Sequence, residues 1–389
     1  MSWMNFDFFI PTKVKVGRGI SKTVGSFLHS LGHRKVFVVT DKGVKNAGVL
    51  ESIENSLHES AISFEIFDEV VPNPSSENIM QGVQKVKEFN PDSVLAVGGG
   101  SSIDTAKGIA IMAGNFGDIL DYEGVGILPN PGLPLLVIPT TSGTGSEVTA
   151  STIVTNTKTH FKAAVISPYL FPTYALLDAE LTIKLPSNVT SATGMDALTH
   201  AIESYTSKTT NPASEAFALH AIEMIGKNIE KAYFVGSDIT SRENMLVASM
   251  LAGAAFSQSR LGNVHAISHT LGGVFNIAHG IANATLLPFV MKFNLPACPE
   301  KMAAIARALG VDTSQLSVEQ AAEAAIDAVI SLNEKLGIPG NIKDLGVTLD
   351  VLPKLVEDSM RSGNVLINPR LTSANDIKLI IENAYNGVL

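Results

Sequence analysis

Short apolar runs alternate with amphipathic helical patterns over roughly the first 185 residues. The runs are rich in β-branched residues and stop at a polar residue, a glycine or a proline, as buried strands do. The strand-like runs are 36–40, 61–67, 94–97 and 135–138, and the helical patterns between them include 43–59, 76–88 and 103–113. This alternation favours a mostly parallel sheet with helices on both faces, because parallel strands need crossover connections.

The pattern changes after Pro186, where strand-like runs almost disappear and helical patterns follow one another to the end. Asn211 and Pro212 form a typical helix start, in which a capping side chain is followed by a proline in the first turn. The stretch 241–256 is almost entirely apolar, which favours a helix at the centre of a bundle. The alanine-rich stretch 314–336 also has a helical pattern.

The chain has 389 residues, which is more than one hydrophobic core usually accommodates. Together with the change of pattern, this length predicts two domains. The first is an α/β domain with a mostly parallel, dinucleotide-binding sheet over residues 1–185, and the second is an all-helical domain over residues 186–389. Neither a linker nor a low-complexity tract separates them.

Composition excludes several classes of function. The net charge of −9 argues against a general binder of nucleic acid, which needs clustered Lys and Arg. A single cysteine, Cys298, makes an intrachain disulfide impossible and leaves thiolate metal sites improbable. The first residues lack the basic and apolar regions of a signal peptide, and no apolar run reaches the roughly 18 residues of a membrane span. We expect a cytoplasmic protein.

Two glycine-rich loops follow predicted strands and suggest a phosphate site. The first is Gly98-Gly-Gly-Ser-Ser102, and the second is Thr140-Thr-Ser-Gly-Thr-Gly-Ser-Glu147. Glycines let the backbone approach a phosphate, and a helix N-terminus adds free amides and positive potential. Neither loop has the G-x-G-x-x-G spacing, so each alone is equally well explained as a tight turn. The two loops together favour a pyrophosphate at the carboxyl ends of the strands.

Asp41 ends the first predicted strand after residue 40. A carboxylate at this position can accept hydrogen bonds from an adenosine ribose and would repel a 2′-phosphate, so it favours NAD over NADP. The alternative is that Asp41 only caps the helix that follows.

Acidic and imidazole side chains cluster in the predicted helical domain. Asp196 and His200 are four residues apart, so they project from one face of a helix. His265 and His269 have the same spacing, and His279 follows soon after. One carboxylate with three imidazoles makes a mixed oxygen and nitrogen site suited to Fe²⁺ or Zn²⁺. A single buried histidine would more often be a hydrogen-bonded core residue, but four histidines and one aspartate in two clusters favour a metal site.

These motifs resemble those of the iron-containing (group III) alcohol dehydrogenases, and in particular the 1,3-propanediol and lactaldehyde reductase-like members. The motifs are GGGSSIDTAK, TTSGTGSE, GMDALTHAIE and HAISH…AHG, and the likeness extends over nearly the whole chain. The resemblance implies a metal-dependent oxidoreductase that transfers a hydride between NAD(H) and a small primary alcohol or aldehyde. It also implies a homodimer or larger homo-oligomer.

The resemblance also assigns roles to individual residues. The implied metal ligands are Asp196, His200, His265 and His279. His269 resembles an additional histidine near the nicotinamide and substrate, and is implied as a proton-relay group. The implied dinucleotide contacts are Asp41, Asn73, Gly98, Gly99, Gly100, Ser101, Thr140, Thr141, Thr144 and Lys162.

One segment departs from the family pattern. Where many members read Phe-Asn-Asn-Ala-x-Leu-Gly, this chain reads Phe256-Ser-Gln-Ser-Arg260-Leu-Gly262. Arg260 precedes the implied ligand His265 by five residues, so it could face the substrate. That would favour a small anionic aldehyde such as sulfoacetaldehyde, although a surface arginine is the simpler interpretation.

Two other functions remain open from the sequence. One is an NAD-using lyase on the same architecture, like dehydroquinate synthase, which would produce no net NADH. The other is a structural protein that retains the fold, which should show a missing ligand or a disrupted loop. The motifs here are intact.

Overall fold

The computed structural model describes residues 5–159 and 161–389. The chain forms two compact units. One contains Ile10–Thr141 and Gly145–Lys184, and the other contains Leu185–Leu389 together with Ser142–Thr144 and the segment that ends at Phe9. The domain limits inferred from the sequence stay a prediction.

The first unit is built around β-sheets. Within the described residues its strands are β1 (Lys13–Val16), β2 (Lys35–Val39), β3 (Ser63–Phe67), β4 (Ser93–Gly98), β5 (Gly124–Val125), β6 (Leu135–Pro139), β7 (Ser151–Asn156), β8 (Phe161–Ile166) and β9 (Tyr174–Leu177). Its helices are α1 (Val24–Ser30), α2 (Lys42–Asn46), α3 (Glu51–Glu59), α4 (Ser76–Phe89) and α5 (Gly100–Met112).

The described residues form a parallel sheet in the order β1-β9-β6-β4-β2-β3, and a smaller sheet in the order β5-β8-β7. In the larger sheet Phe37 pairs with Val94, and Gly98 pairs with Pro139. Alternate residues of β2 belong to different cores: Phe37 lies in one buried cluster and Val38 in another. Both faces of the sheet are therefore covered, which explains why its central strands are continuously apolar.

The helical pattern at 43–59 is interrupted in the structure, which has two helices there, α2 and α3. Gly48 lies between them with a φ of +70°, a left-handed conformation that a continuous right-handed helix does not contain. The strand signal also missed β1, β9 and the smaller sheet. These strands are short or half-exposed, so they lack a long apolar run.

Among its described residues the second unit contains helices and no strand. Its helices are α6 (Ser187–Thr206), α7 (Pro212–Phe234), α8 (Ile239–Ser259), α9 (Asn263–Phe275), α10 (His279–Asn294), α11 (Pro299–Ala308), α12 (Val318–Lys335), α13 (Leu352–Arg361) and α14 (Ala374–Asn386). Asn211 caps α7 by accepting hydrogen bonds from two backbone amides, as its pattern predicted. The fold class, a parallel α/β region followed by an all-helical region, is confirmed.

Close approach of the helices depends on small residues. A Cβ on Gly194 of α6 would lie 2.8 Å from the Ile229 side chain of α7 and 3.0 Å from that of Met245 of α8. Glycine at this position therefore allows three helices to meet. Among the described residues, no helix combines the length and hydropathy needed to cross a bilayer.

Candidate metal centre and nucleotide site

Four side chains of the helical unit converge on one point. Asp196 and His200 come from α6, His265 from α9 and His279 from the first residue of α10. One carboxylate oxygen and one nitrogen from each ring all lie within 4.8 Å of one another. Asp196 Oδ1 is 3.9 Å from His200 Nε2 and 3.8 Å from His279 Nε2.

This donor set fits a divalent metal ion. Ligand bonds of about 2.1 Å in a tetrahedral site place neighbouring donor atoms about 3.4 Å apart, so only small shifts are needed. Asp196, His200 and His265 are buried, and His279 is partly exposed. Burial lowers the pKa of His265 well below its usual value, which keeps the ring in the neutral form that ligates metals.

The far sides of two imidazole rings are held by hydrogen bonds. His265 Nδ1 lies 2.6 Å from Oε2 of Glu203, and His200 Nδ1 lies 3.2 Å from the carbonyl oxygen of Gly143. When Nδ1 donates to these oxygens, each Nε2 keeps its lone pair for a cation. Glu203 is buried, and burial raises the pKa of its carboxyl to about 7.

Two further contacts fix the ligand rings. The ring of His200 stacks on two neighbours. Its centroid lies 4.6 Å from that of Phe256 and 4.7 Å from that of His265. The glycine of the AHG motif has a separate purpose, since a Cβ on Gly280 would lie 2.3 Å from the carbonyl oxygen of Ala192. Only glycine therefore allows α10 to begin against α6 and to carry its histidine into the cluster.

His269 lies beside the cluster rather than in it. Its ring stacks on that of His279 with centroids 5.1 Å apart, and it meets His265 edge-on at 5.8 Å. His269 is partly exposed, unlike His265. Helical spacing alone groups His265 with His269, whereas in the structure only His265 belongs to the four-residue cluster.

Sequence reasoning missed two polar residues at this centre. Glu203 stood in the GMDALTHAIE motif without an assigned role, and its position seven residues after Asp196 on one helix was the available signal. The sequence did not predict a role for Asn283. In the structure its amide nitrogen lies 3.1 Å from the Nε2 atom of His279. It stands one helical turn after that histidine.

Arg260 follows the last residue of α8 and is exposed. Its backbone has φ +61° and ψ −168°, a region that is almost restricted to glycine. The guanidinium lies over Gly363, where a Cβ would be only 2.6 Å from Nη2. It forms no hydrogen bond or ion pair with another described residue.

The first glycine loop and Asp41 meet at the carboxyl ends of β2 and β4 in the α/β unit. Asp41 Oδ2 accepts a hydrogen bond from Ser102 Oγ at 2.9 Å, and Oδ1 accepts one from the Val44 amide. Gly98 has a φ of +155°, and a Cβ there would lie 2.4 Å from Ser102 Oγ. Asp41 therefore does cap α2, and its other oxygen borders the glycine loop.

The N-terminus of α5 lacks a side-chain cap, because Gly99 occupies the capping position. Its first amides, from Gly100 and Ser101 onward, are thus available for an anion. A Cβ on Gly99 would lie 3.2 Å from Thr141 Oγ1, so the two predicted loops are adjacent in this unit. Thr140 is buried next to them.

The three other predicted dinucleotide contacts are Asn73, Thr144 and Lys162. Asn73 has a left-handed backbone, and its Oδ1 accepts a hydrogen bond from Lys162 Nζ at 2.8 Å. These two residues thus form one pair in the α/β unit. Thr144 belongs with the helical unit.

A buried ion cluster holds the segment that follows the second loop. Lys107 of α5 donates to the carbonyl oxygens of Thr149 and Ser151, while Asp104 accepts from Ser146 Oγ and the Ile153 amide. Burial lowers the pKa of Lys107 to about 8. Both charged residues stand in the GGGSSIDTAK motif, but the sequence alone did not show that they hold the second loop.

Comparison with known proteins agrees with this site. Residues 11–179 match the family model described as iron-containing alcohol dehydrogenase, and residues 190–385 match that of the C-terminal part of the Fe-containing alcohol dehydrogenase family. The chain belongs to the iron-containing alcohol dehydrogenase family. The predicted resemblance is confirmed.

Individual relatives cover nearly the entire chain. The 1,3-propanediol dehydrogenase of Citrobacter freundii is 41% identical over 387 residues, which are 99% of this chain and 100% of the relative. A crystal structure of a 1,3-propanediol oxidoreductase has a TM-score of 0.95 at 41% identity and covers 98% of this chain and 100% of its own. A sulfoacetaldehyde reductase from Bifidobacterium kashiwanohense, solved in complex with NAD⁺, has a TM-score of 0.88 at 30% identity, over 98% and 99%.

The chain is thus an NAD-dependent oxidoreductase of small alcohols and aldehydes in this iron-containing family. Its iron-type metal is bound by the cluster of Asp196, His200, His265 and His279. The predictions of an enzyme, of its class and of its two cofactors are confirmed.

Proposed function

We propose that this chain interconverts a small, uncharged primary alcohol and its aldehyde, with 1,3-propanediol and 3-hydroxypropionaldehyde as the representative pair. The observation that carries the proposal is the convergence of one carboxylate and three imidazoles within 4.8 Å. It occurs in a chain that is 41% identical to a 1,3-propanediol dehydrogenase over almost its whole length.

A divalent cation in this donor set supplies Lewis acidity toward a hydroxyl or carbonyl oxygen, and NAD carries the hydride. Asp196 is the one charged ligand, so the centre keeps a net positive charge that favours negative charge on a substrate oxygen. Glu203 and Gly143 hold the rings of His265 and His200 in the ligating tautomer.

His269 is the proton-transfer residue in this proposal. It stacks on His279 beside the cluster, and its partial exposure supports exchange of a proton with water. An imidazole is suited to this role because it changes charge near neutral pH.

The dinucleotide contacts are proposed for the α/β unit and the loop that leaves it. Asp41 accepts from a ribose hydroxyl, and the pair of Asn73 and Lys162 binds a second polar part of the dinucleotide. Backbone amides and hydroxyls around the loops receive the pyrophosphate, namely those of Gly98, Gly99, Gly100, Ser101, Thr140, Thr141 and Thr144. The uncapped start of α5 and the proximity of Gly99 to Thr141 support this arrangement.

An aldehyde panel with NADH tests the proposal. Chelator-stripped protein is given Fe²⁺ and assayed with propionaldehyde, 3-hydroxypropionaldehyde, lactaldehyde and sulfoacetaldehyde by the loss of NADH absorbance. We expect the uncharged aldehydes to be reduced, and the activity to vanish without metal. The absence of NADH oxidation with all four aldehydes would overturn this choice of substrate.

Arg260 favours a second candidate, the reduction of a small anionic aldehyde. Its guanidinium has no partner among the described residues, and its strained backbone is the kind of outlier that points to function. The likeness to a sulfoacetaldehyde reductase adds support. A strong preference for sulfoacetaldehyde that disappears in Arg260→Ala would establish this candidate, and indifference to charge would remove it.

The assembly and location of the protein stay predictions. A homodimer or larger homo-oligomer is the proposed state, and light scattering of the purified protein measures it. The proposed location of the protein in the cell is the cytoplasm.

A further inference from the structure

We propose that Asn283 is a positioning residue of the metal centre, whose amide holds the ligating oxygen of Asp196 in place. Asn283 lies on α10 one turn after His279, and its side chain is completely buried. Its side chain is a neutral amide, whereas the four donors of the cluster are one carboxylate and three imidazoles. The inference rests on the metal site and not on the substrate proposed above.

One amide nitrogen contacts three of the four donor groups. Asn283 Nδ2 lies 2.6 Å from Asp196 Oδ1, 3.0 Å from His265 Nε2 and 3.1 Å from His279 Nε2. These three acceptors come from α6, α9 and α10. The amide therefore lies where the three helices bring their ligands together.

The amide has two N–H groups, so it cannot donate fully to three acceptors. A neutral imidazole has one free ring lone pair, and ligation uses it. A carboxylate oxygen has a second lone pair, so it can ligate a cation and accept a hydrogen bond at the same time. The bond to Asp196 is thus the one compatible with ligation, and it is also the shortest and has a charged acceptor.

The amide oxygen of Asn283 indicates that its N–H groups are the part of the side chain that the site uses. Asn283 Oδ1 is buried and has no hydrogen-bond partner among the described residues. A buried polar atom without a partner is destabilising, so an apolar residue would serve better if the position only filled space. The contacts that the side chain does make all come from its N–H groups, and all are to metal ligands.

Zn²⁺ affinity tests this role without nucleotide or alcohol. The Asn283→Ala variant and the wild-type protein are stripped with a chelator, and each is titrated with Zn²⁺ against a chromogenic chelator. We expect the dissociation constant to rise about 10- to 100-fold, the usual cost of losing a residue that orients a metal ligand. Because the assay contains no substrate, failure of the proposed alcohol chemistry would leave its result unchanged.

Asn333 supplies a matched control on α12. It is also buried, its Oδ1 also has no partner among the described residues, and its Nδ2 donates to the backbone oxygen of Ala284 at 2.7 Å. Asn333→Ala should lower the melting temperature and leave Zn²⁺ affinity at the wild-type value. Wild-type affinity in Asn283→Ala, or a loss no larger than that of Asn333→Ala, would overturn the proposal.

A second measurement covers the case in which Asn283→Ala does not fold. In a crystal structure of the wild-type protein with Zn²⁺, we expect Nδ2 of Asn283 to stay within hydrogen-bond distance of Asp196 Oδ1. An amide that turns its oxygen onto the ion, or away from Asp196, would contradict the positioning role.

Discussion

The metal centre and the two glycine-rich loops use different parts of the polypeptide. The metal centre is built from side chains on α6, α9 and α10, whose donor atoms meet within 4.8 Å. The loops follow strands and offer mainly backbone amides and hydroxyls. The comparison teaches that loss of a single ligand side chain in the helical unit should abolish activity. In the α/β unit, loss of a single side chain should mainly change which dinucleotide is preferred.

The largest expected effect tests the first half of this comparison. His265→Ala should lose its metal and lower turnover by about a thousandfold or more, because several kcal/mol of Lewis-acid stabilisation disappear. Metal content and NADH absorbance measure the two losses. The control is His220→Ala, since His220 is exposed on α7 and, within the described part of the chain, pairs only with Glu223. A His265→Ala variant that kept full activity after chelation would show that the cluster is not the metal centre.

Asp41→Ala tests the second half. We expect the ratio of kcat/KM with NADPH to that with NADH to rise about 10- to 100-fold, since a charge that accepts from a ribose hydroxyl and repels a 2′-phosphate is removed. Metal content should not change. Ser102→Ala removes a contact of Asp41 but not its charge, and should leave the ratio nearly unaltered. Equal ratios in both variants would remove Asp41 from the nucleotide site.

The stability of the protein should depend on pH because of Glu147, the last residue of the second glycine-rich loop. Burial raises the pKa of Glu147 from 4.5 to about 7, and its Oε1 has no partner among the described residues. The folded state therefore binds more protons than the unfolded state between these values, so stability falls as pH rises through that window. Relative to wild type, Glu147→Gln should gain about 1–3 kcal/mol of unfolding free energy between pH 5 and pH 8.

Denaturant unfolding at several pH values measures this effect. The exposed Glu88 of α4 is the control, and Glu88→Gln should show no such gain. If the free energy of unfolding of Glu147→Gln changed with pH as that of the wild type does, Glu147 would not be the buried carboxyl that causes the pH dependence.

The smallest expected effect concerns Arg260. Arg260→Gly should raise the free energy of unfolding by about 1 kcal/mol, because glycine adopts its φ of +61° without strain. Arg260→Ala keeps a Cβ and should bring no such gain, so the pair isolates the backbone from the charge. Thermal or denaturant unfolding provides the measurement, and equal stability of the two variants would exclude backbone strain.

Local patterns predicted part of the metal centre. The spacing of Asp196 and His200 on one helix is local information, and it indicated a shared face correctly. The same spacing links His265 to His269, yet the structure places His269 outside the four-residue group and His279 inside it. That choice depends on how α9 and α10 pack against α6, which periodicity does not contain.

The sequence by itself determined the types of element, the two regions and the chemical nature of the donors. Hydrophobic periodicity and residue chemistry depend only on residues that are near one another in the sequence, so they can be recognised before the fold is known. Spacing along the chain did not decide which donors meet: the family resemblance implied the four ligands, and the tertiary structure brings them together. Only the tertiary structure revealed the roles of Glu203 and Asn283 beside them. The physical reason is that a hydrogen bond or a metal site needs interatomic distances that are correct to within a few tenths of an ångström, and packing of the whole core sets those distances.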